Sequence, residues 1–227
     1  MLKGLCESVV LVRSASTDGT CVKHKTQACH VWEQTRLGEG RRFVLNVEEA
    51  IRRRRTIRKF KPHKIPRESL IKILEAARLA PSAANAQPWM FIVVEDDTMK
   101  QKLAETTSNS YLAEASAVIA VLGDAKLAGS GGGFPPRRWL ELDIGIAVEH
   151  MVLQATELGL ATCWDVSYKE LEVKRILKAP EQLLPGGWKV MALLPVGLPG
   201  ETPATQERKA LSDLVCLNEF GNPYPGL

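Results

Sequence analysis

The segment Arg54-Arg-Thr-Ile-Arg58 sets two guanidinium groups four residues apart, with the hydroxyl of Thr56 between them. A phosphate monoester asks for that set: cations with several donors, plus a neutral donor for a remaining oxygen lone pair. Taken alone the pattern is weak, because an arginine-rich run is more often a solvated helix face. A second segment, Pro81-Ser-Ala-Ala-Asn-Ala-Gln-Pro-Trp89, is a small-residue loop bounded by prolines. Small side chains let backbone approach a flat ligand, and Ser82, Asn85 and Gln87 supply donors and acceptors at a polar edge. Trp89 is better read as the entry of the chain into a core strand.

Other groupings are less specific. Gly129-Ser-Gly-Gly-Gly133 lacks the G-x-G-x-x-G order between strand and helix that a dinucleotide fold requires, so it reads as a loop. Cys21, His24, Cys29 and His30 offer thiolate and imidazole, but their spacing matches no common structural zinc pattern, and no metal site is expected. Cys163 reads as a small buried hydrophobe and His150 as a hydrogen-bonded core residue.

These groups must be held by a chain of 227 residues with 45% hydrophobic and 25% charged residues, enough for one sizeable core. A net charge of +4 does not amount to a broad basic face, and no membrane-length apolar run is present. Five irregularly spaced cysteines suit a reducing compartment, so a cytoplasmic location is expected. Residues 1 to 45 show no sustained period and are taken as an N-terminal extension, with the organised domain spanning 46 to 227.

Within that domain Asn46 and Glu49 form a capping-box-like helix start. Pro66 opens a second helix that Pro81 stops. Phe91 to Val94 reads as a strand, Thr98 to Glu105 as a short helix, and Ala117 to Leu122 as a second strand. The longest helix is predicted from Trp139 to about Leu158, ended by Gly159, as the central buried helix. A strand through Thr162, Trp164 and Val166, a helix from Lys169 to Leu177 and a strand from Lys189 to Val196 complete a mixed α and β pattern without repeats.

In order and spacing, Glu48 to Arg58, Ile73-Leu-Glu-Ala-Ala77, Pro81 to Trp89 and Phe91 to Val94 resemble the N-terminal half of the FMN-dependent nitroreductase family. Asp143-Ile-Gly-Ile-Ala, Leu158 to Trp164, Val196-Gly-Leu-Pro199 and Arg208 resemble its later half, so the likeness covers about residues 46 to 216. The resemblance implies an α+β fold, a mixed and mainly antiparallel sheet flanked by helices, in which two chains intertwine as a homodimer with FMN at the interface. It assigns Arg54, Arg55, Thr56, Arg58 and Arg208 to the phosphate and ribityl end. Pro81, Ser82, Ala83, Asn85 and Gln87 fall to a loop reaching across from the partner, and Cys163, Trp164, Asp165, Val166 and Gly197 to the remainder of the flavin site. Phe134, Arg137 and Arg138 become substrate contacts. The chain carries Asp165-Val166 where relatives often have an apolar residue and glycine, and Ala83 where they have a second serine.

The implied activity is ping-pong electron transfer from NAD(P)H through flavin N5 to a nitroaromatic, quinone or similar electrophile. The cofactor carries the difficult chemistry, so no catalytic side chain is required. Related folds dehalogenate, degrade flavin or dehydrogenate rings. A basic nucleic-acid-binding module is the reading from another class, and it lacks interleaved aromatics.

Overall fold

The computed structural model describes residues 45–128, 136–181 and 187–227. Residues 1 to 44, with Cys21, His24, Cys29 and His30, lie outside the described residues, as does Phe134; Arg137 and Arg138 are described as helical backbone only.

Four strands form one sheet in the order β1-β2-β4-β3: β1 Trp89–Val94, β2 Ala117–Asp124, β3 Ala161–Thr162 and β4 Trp188–Gly197. All strand pairs are antiparallel. Strand β2 is apolar almost throughout because it is central and both its faces are covered. Ala117, Ile119 and Val121 face one cluster with Ile73 and Ala77 of α2 (Arg67–Arg78) and Leu140, Ile144, Val148 and Met151 of α5 (Pro136–Glu157). Val118, Ala120 and Leu122 face the other, with Leu103 of α3 (Asp97–Glu105), Leu112 of α4 (Tyr111–Glu114) and Val173 of α6 (Glu170–Leu177). A register shift opposite Val121 and Leu122 places one extra residue in β4, which turns Val190 back to the second face.

The predicted elements are present with shifted ends. Asn46 caps α1 (Val47–Arg53) by accepting the Glu49 N–H at 2.9 Å, but Glu49 turns its carboxylate to Arg53 at 3.1 Å instead of completing a capping box. The expected strand from Thr162 to Val166 pairs at Ala161–Thr162 and again at Asp165, opposite Leu193. The register sets Cys163 against Pro195, which has no N–H to give, and the ladder is interrupted there. The expected central helix α5 is buried along one side only, while Leu142 and Ile146 are bare on the other.

Candidate functional site

The arginine segment leaves α1 as extended chain and runs beside the free edge of β3. Thr56 forms a parallel bridge with Thr162, and the Ile57 N–H bonds the Thr162 carbonyl at 3.1 Å. Alternation then buries Ile57 and turns Thr56 and Arg58 outward. The segment is clamped from its far side: Phe60 bridges Pro199, the Gly200 N–H reaches the Lys59 carbonyl at 2.8 Å, and Glu201 accepts the Arg58 N–H at 2.7 Å. Gly197 serves this docking, since a Cβ there would stand 3.0 Å from the Phe60 ring.

The guanidinium groups differ in engagement. Arg55 is occupied by the carbonyls of Arg52 and Arg54 and by Thr205 Oγ1, at 2.7, 2.8 and 3.1 Å. Among the described residues Arg54 meets only Glu149 of α5, at 3.9 Å. Arg55 therefore acts as a strut, while the Arg58 guanidinium lies by the Cys163 thiol and Thr56 Oγ1 has no hydrogen bond among the described residues. Arg208 is exposed and, among the described residues, bonded to none of them.

Beyond Thr162 the edge continues through Cys163 to Val166. Cys163 and Asp165 point into the core, and Trp164, 38% exposed, and Val166 point out. Asp165 exchanges both backbone hydrogen bonds with Leu193, at 3.0 and 2.9 Å. In an antiparallel ladder its neighbours must then aim their N–H groups the opposite way. The donors of Trp164 and Val166 thus lie on the open edge that receives Ile57, and neither has an acceptor among the described residues. Burial pushes the Cys163 thiol up, against the pull of the Tyr111 hydroxyl and the Arg58 guanidinium.

The Pro81–Trp89 loop sits apart from this edge, over α5. Ala84, Asn85 and Gln87 all have positive φ, 52°, 54° and 48°. Left-handed non-glycine residues cost about 1 kcal/mol or more each. The conformation is held by Ser82 Oγ, which accepts the Gln87 N–H at 2.9 Å, and by Asp143 Oδ1, which accepts the Ala83 N–H at 3.0 Å. Asn85 and Gln87 are exposed. No hydrogen bond or ion pair joins this loop to the arginine segment among the described residues, so one chain brings together the phosphate-type donors and the Trp164–Val166 edge but leaves the loop separate.

Asp143 is 3% exposed and its Oδ2 has no partner among the described residues. Burial raises its carboxyl pKa. Between the ordinary carboxylate range and that raised value the folded state holds more protons than the unfolded chain, so this group's stability contribution falls as pH rises through the window. Asp143→Asn keeps an acceptor for Ala83 and abolishes the titration. Urea midpoints measured from about pH 4 to 7 are expected to show a flatter pH dependence in the variant, and an unchanged slope would refute this account. Asp143 carried a readable signal, a carboxylate on the core-facing stripe of an apolar helix. Glu149, Glu201, Thr205, Asn109 and Tyr111 carried none, since only long-range contacts bring them here.

The fold defines an α+β protein whose open sheet margin carries arginine side chains beside unpaired backbone N–H groups among the described residues. Residues 51–118 and 105–198 match the Nitroreductase family. The chain is 32% identical over 174 residues to a protein of Methanothermobacter thermautotrophicus provisionally named NADH dehydrogenase/NAD(P)H nitroreductase, covering 74% of this chain and 85% of that one. It superposes on a nitroreductase family protein from Clostridium novyi NT with a TM-score of 0.63 at 30% identity, covering 79% and 97% of the two chains. An FMN-dependent nitroreductase of Clostridium difficile R20291 gives 0.64 at 28% identity, covering 75% and 98%. The iodotyrosine deiodinase of Thermotoga neapolitana is 26% identical over 66% of this chain and 87% of its own length. The chain belongs to the Nitroreductase family, a family of oxidoreductases.

Proposed function

We propose that the chain is an FMN-dependent oxidoreductase that takes electrons from NAD(P)H and reduces a small electrophile, a nitroaromatic or quinone. One observation carries the reading: Arg54, Thr56 and Arg58 stand at one end of an open strand edge whose other end presents the N–H groups of Trp164 and Val166. Cations with a hydroxyl suit a phosphate, and backbone donors suit the acceptor nitrogens and carbonyls along a flavin's edge. When bound, the cofactor supplies two-electron transfer in two half-reactions, the ping-pong order. The chain's own residues hold the phosphate, orient the ring and shield one face with Trp164.

A second copy of the chain completes the site. Helix α5 carries apolar residues on its open side as well as on its buried one, and a cluster of them is suited to cover by a partner. Leu142 and Ile146, with Val47 and Ile51 of α1, leave an apolar face open. Gly145 lies between them in mid-helix, where glycine costs about 1 kcal/mol, and a Cβ there would meet nothing within 4 Å. A glycine in that position permits close approach of another backbone. The tail after Gly200 exposes Leu211, Leu214 and Phe220, apolar groups suited to lie on a partner. In the homodimer the strained Ser82–Gln87 loop of one protomer would meet the edge of the other. Arg208 joins the phosphate site with that tail, and Arg137 and Arg138 flank the substrate entrance. Residues 46 to 227 form the catalytic domain, and residues 1 to 45 are an extension. Among the described residues no helix is long and apolar enough to cross a membrane; the five irregularly spaced cysteines suit a reducing compartment, and on that ground we place the enzyme in the cytoplasm.

The test is direct. Purified protein is expected to bind FMN with a yellow spectrum and to oxidise NADH or NADPH when a nitroaromatic or quinone is added. Protein that stays colourless after FMN addition would sink the proposal, and turnover confined to halogenated phenols would move the chain to the dehalogenating branch that its deiodinase likeness raises.

A further inference from the structure

Asp165 is the most costly residue on the candidate edge. Its carboxylate is 2% exposed, and burying such a group is unfavourable unless its oxygens are hydrogen-bonded. Here they are. Oδ2 accepts from Asn109 Nδ2 and from the Tyr111 hydroxyl, each at 2.9 Å, and Oδ1 accepts the Ser167 N–H at 3.0 Å. The Tyr111 hydroxyl in turn receives the Cys163 thiol at 3.6 Å, and Asn109 is fixed through its own N–H on Thr107 Oγ1 at 2.9 Å.

Two features go beyond anchoring. The Ser167 bond is an Asx-turn, which ends the strand immediately after Val166 and sets the plane of the peptide there. The two hydrogen bonds with Leu193 fix the opposite polarity of the flanking peptides, so the carboxylate network and the ladder together determine where the Trp164 and Val166 N–H groups aim. An apolar residue at 165 would supply neither the turn nor the tie to α4.

We propose that Asp165, held by Asn109 and Tyr111, is a positioning residue that registers the Trp164 and Val166 N–H donors against the reactive edge of the flavin. The inference rests on the flavin reading above. Oxidised flavin N5 is an acceptor and reduced N5 carries a hydrogen, so a correctly aimed donor favours the oxidised form. Loosening the donor, or removing the buried negative charge behind it, makes the bound flavin easier to reduce.

The experiment compares the full chain with Asp165→Asn and Tyr111→Phe. Asp165→Asn keeps the volume but sets an amide donor among donors, and Tyr111→Phe removes one donor while keeping the ring. FMN affinity is expected within about threefold of wild type, because the phosphate contacts are untouched. The midpoint potential of bound FMN is expected to move positive by about 30 mV, a tenfold change in a two-electron equilibrium. The visible flavin band should shift with it, and kcat should fall with KM little changed. Variants that melt at lower temperature but keep the wild-type potential and spectrum would make Asp165 a purely structural residue and overturn the inference. If Asp165→Asn does not fold, Tyr111→Phe decides by the same two readouts. Wild-type protein that binds no FMN would overturn the flavin reading itself, a result distinct from either.

Discussion

Arg58→Ala is expected to lose FMN while remaining folded. The backbone of residue 58 is held by Glu201, which accepts its N–H at 2.7 Å, and its neighbours are pinned at Thr162, Pro199 and Gly200, none of which needs the side chain. What the substitution removes is a guanidinium at the end of the edge proposed to hold the phosphate. Hydrogen bonds to charged groups contribute about 1.5–3 kcal/mol, which corresponds to a loss of roughly 10- to 150-fold in affinity. Arg58→Lys should recover only part of it, since an ammonium keeps the charge and loses the planar fork. Riboflavin, which has no phosphate, serves as the internal control. Its affinity should be nearly the same in wild type and Arg58→Ala, so the preference for FMN over riboflavin collapses. Titration of apoprotein by flavin fluorescence measures both, and an FMN affinity unchanged in Arg58→Ala would remove the arginine segment from the site.

Ile146→Arg should abolish the proposed dimer and flavin retention together. In the single chain this side chain is 39% exposed on the bare face of α5, so arginine costs the isolated protomer little, within about 0.5 kcal/mol. Across a dimer interface the same substitution buries an unpaired charge, with a penalty of about 3–5 kcal/mol per copy. Dissociation should therefore rise by at least about a hundredfold. Sedimentation at micromolar concentration is expected to show one chain per particle, a native circular dichroism spectrum and FMN that washes out. A dimeric variant with flavin retained would place the interface elsewhere. A monomeric variant that still holds FMN as tightly as wild type would show the site to be complete within one chain.

Much of the scaffold was legible in the residues. The 3.6 period of α2, the apolar runs of β1, β2 and β4, and the cap at Asn46 are local signals, and local hydrogen bonding and burial produce them directly. The arginine segment was legible as chemistry but not as a conformation. Its neighbours on α1 read as a helix face, and only docking against β3 shows that Arg54 ends the helix and that Arg55 is spent on carbonyls and Thr205. The shortness of β3 was in principle readable from Pro195, yet the register that sets Pro195 opposite Cys163 is a long-range fact.

The residue types at Arg54 to Arg58 and the prolines around residues 81 to 88 determined by themselves that a phosphate-like group and a flat ligand were plausible partners, because charge, donor number and side-chain size travel with the sequence. Tertiary structure alone decided which of those groups are available. Asp165 reads from sequence as a polar interruption of an apolar site, and folding turns it inward onto Asn109 and Tyr111, 56 and 54 residues away. Strand alternation then leaves its neighbours' N–H groups facing out. The physical reason is common to both outcomes: a side chain's chemistry is intrinsic, while its direction and partners are set by the register of strands far apart in the chain.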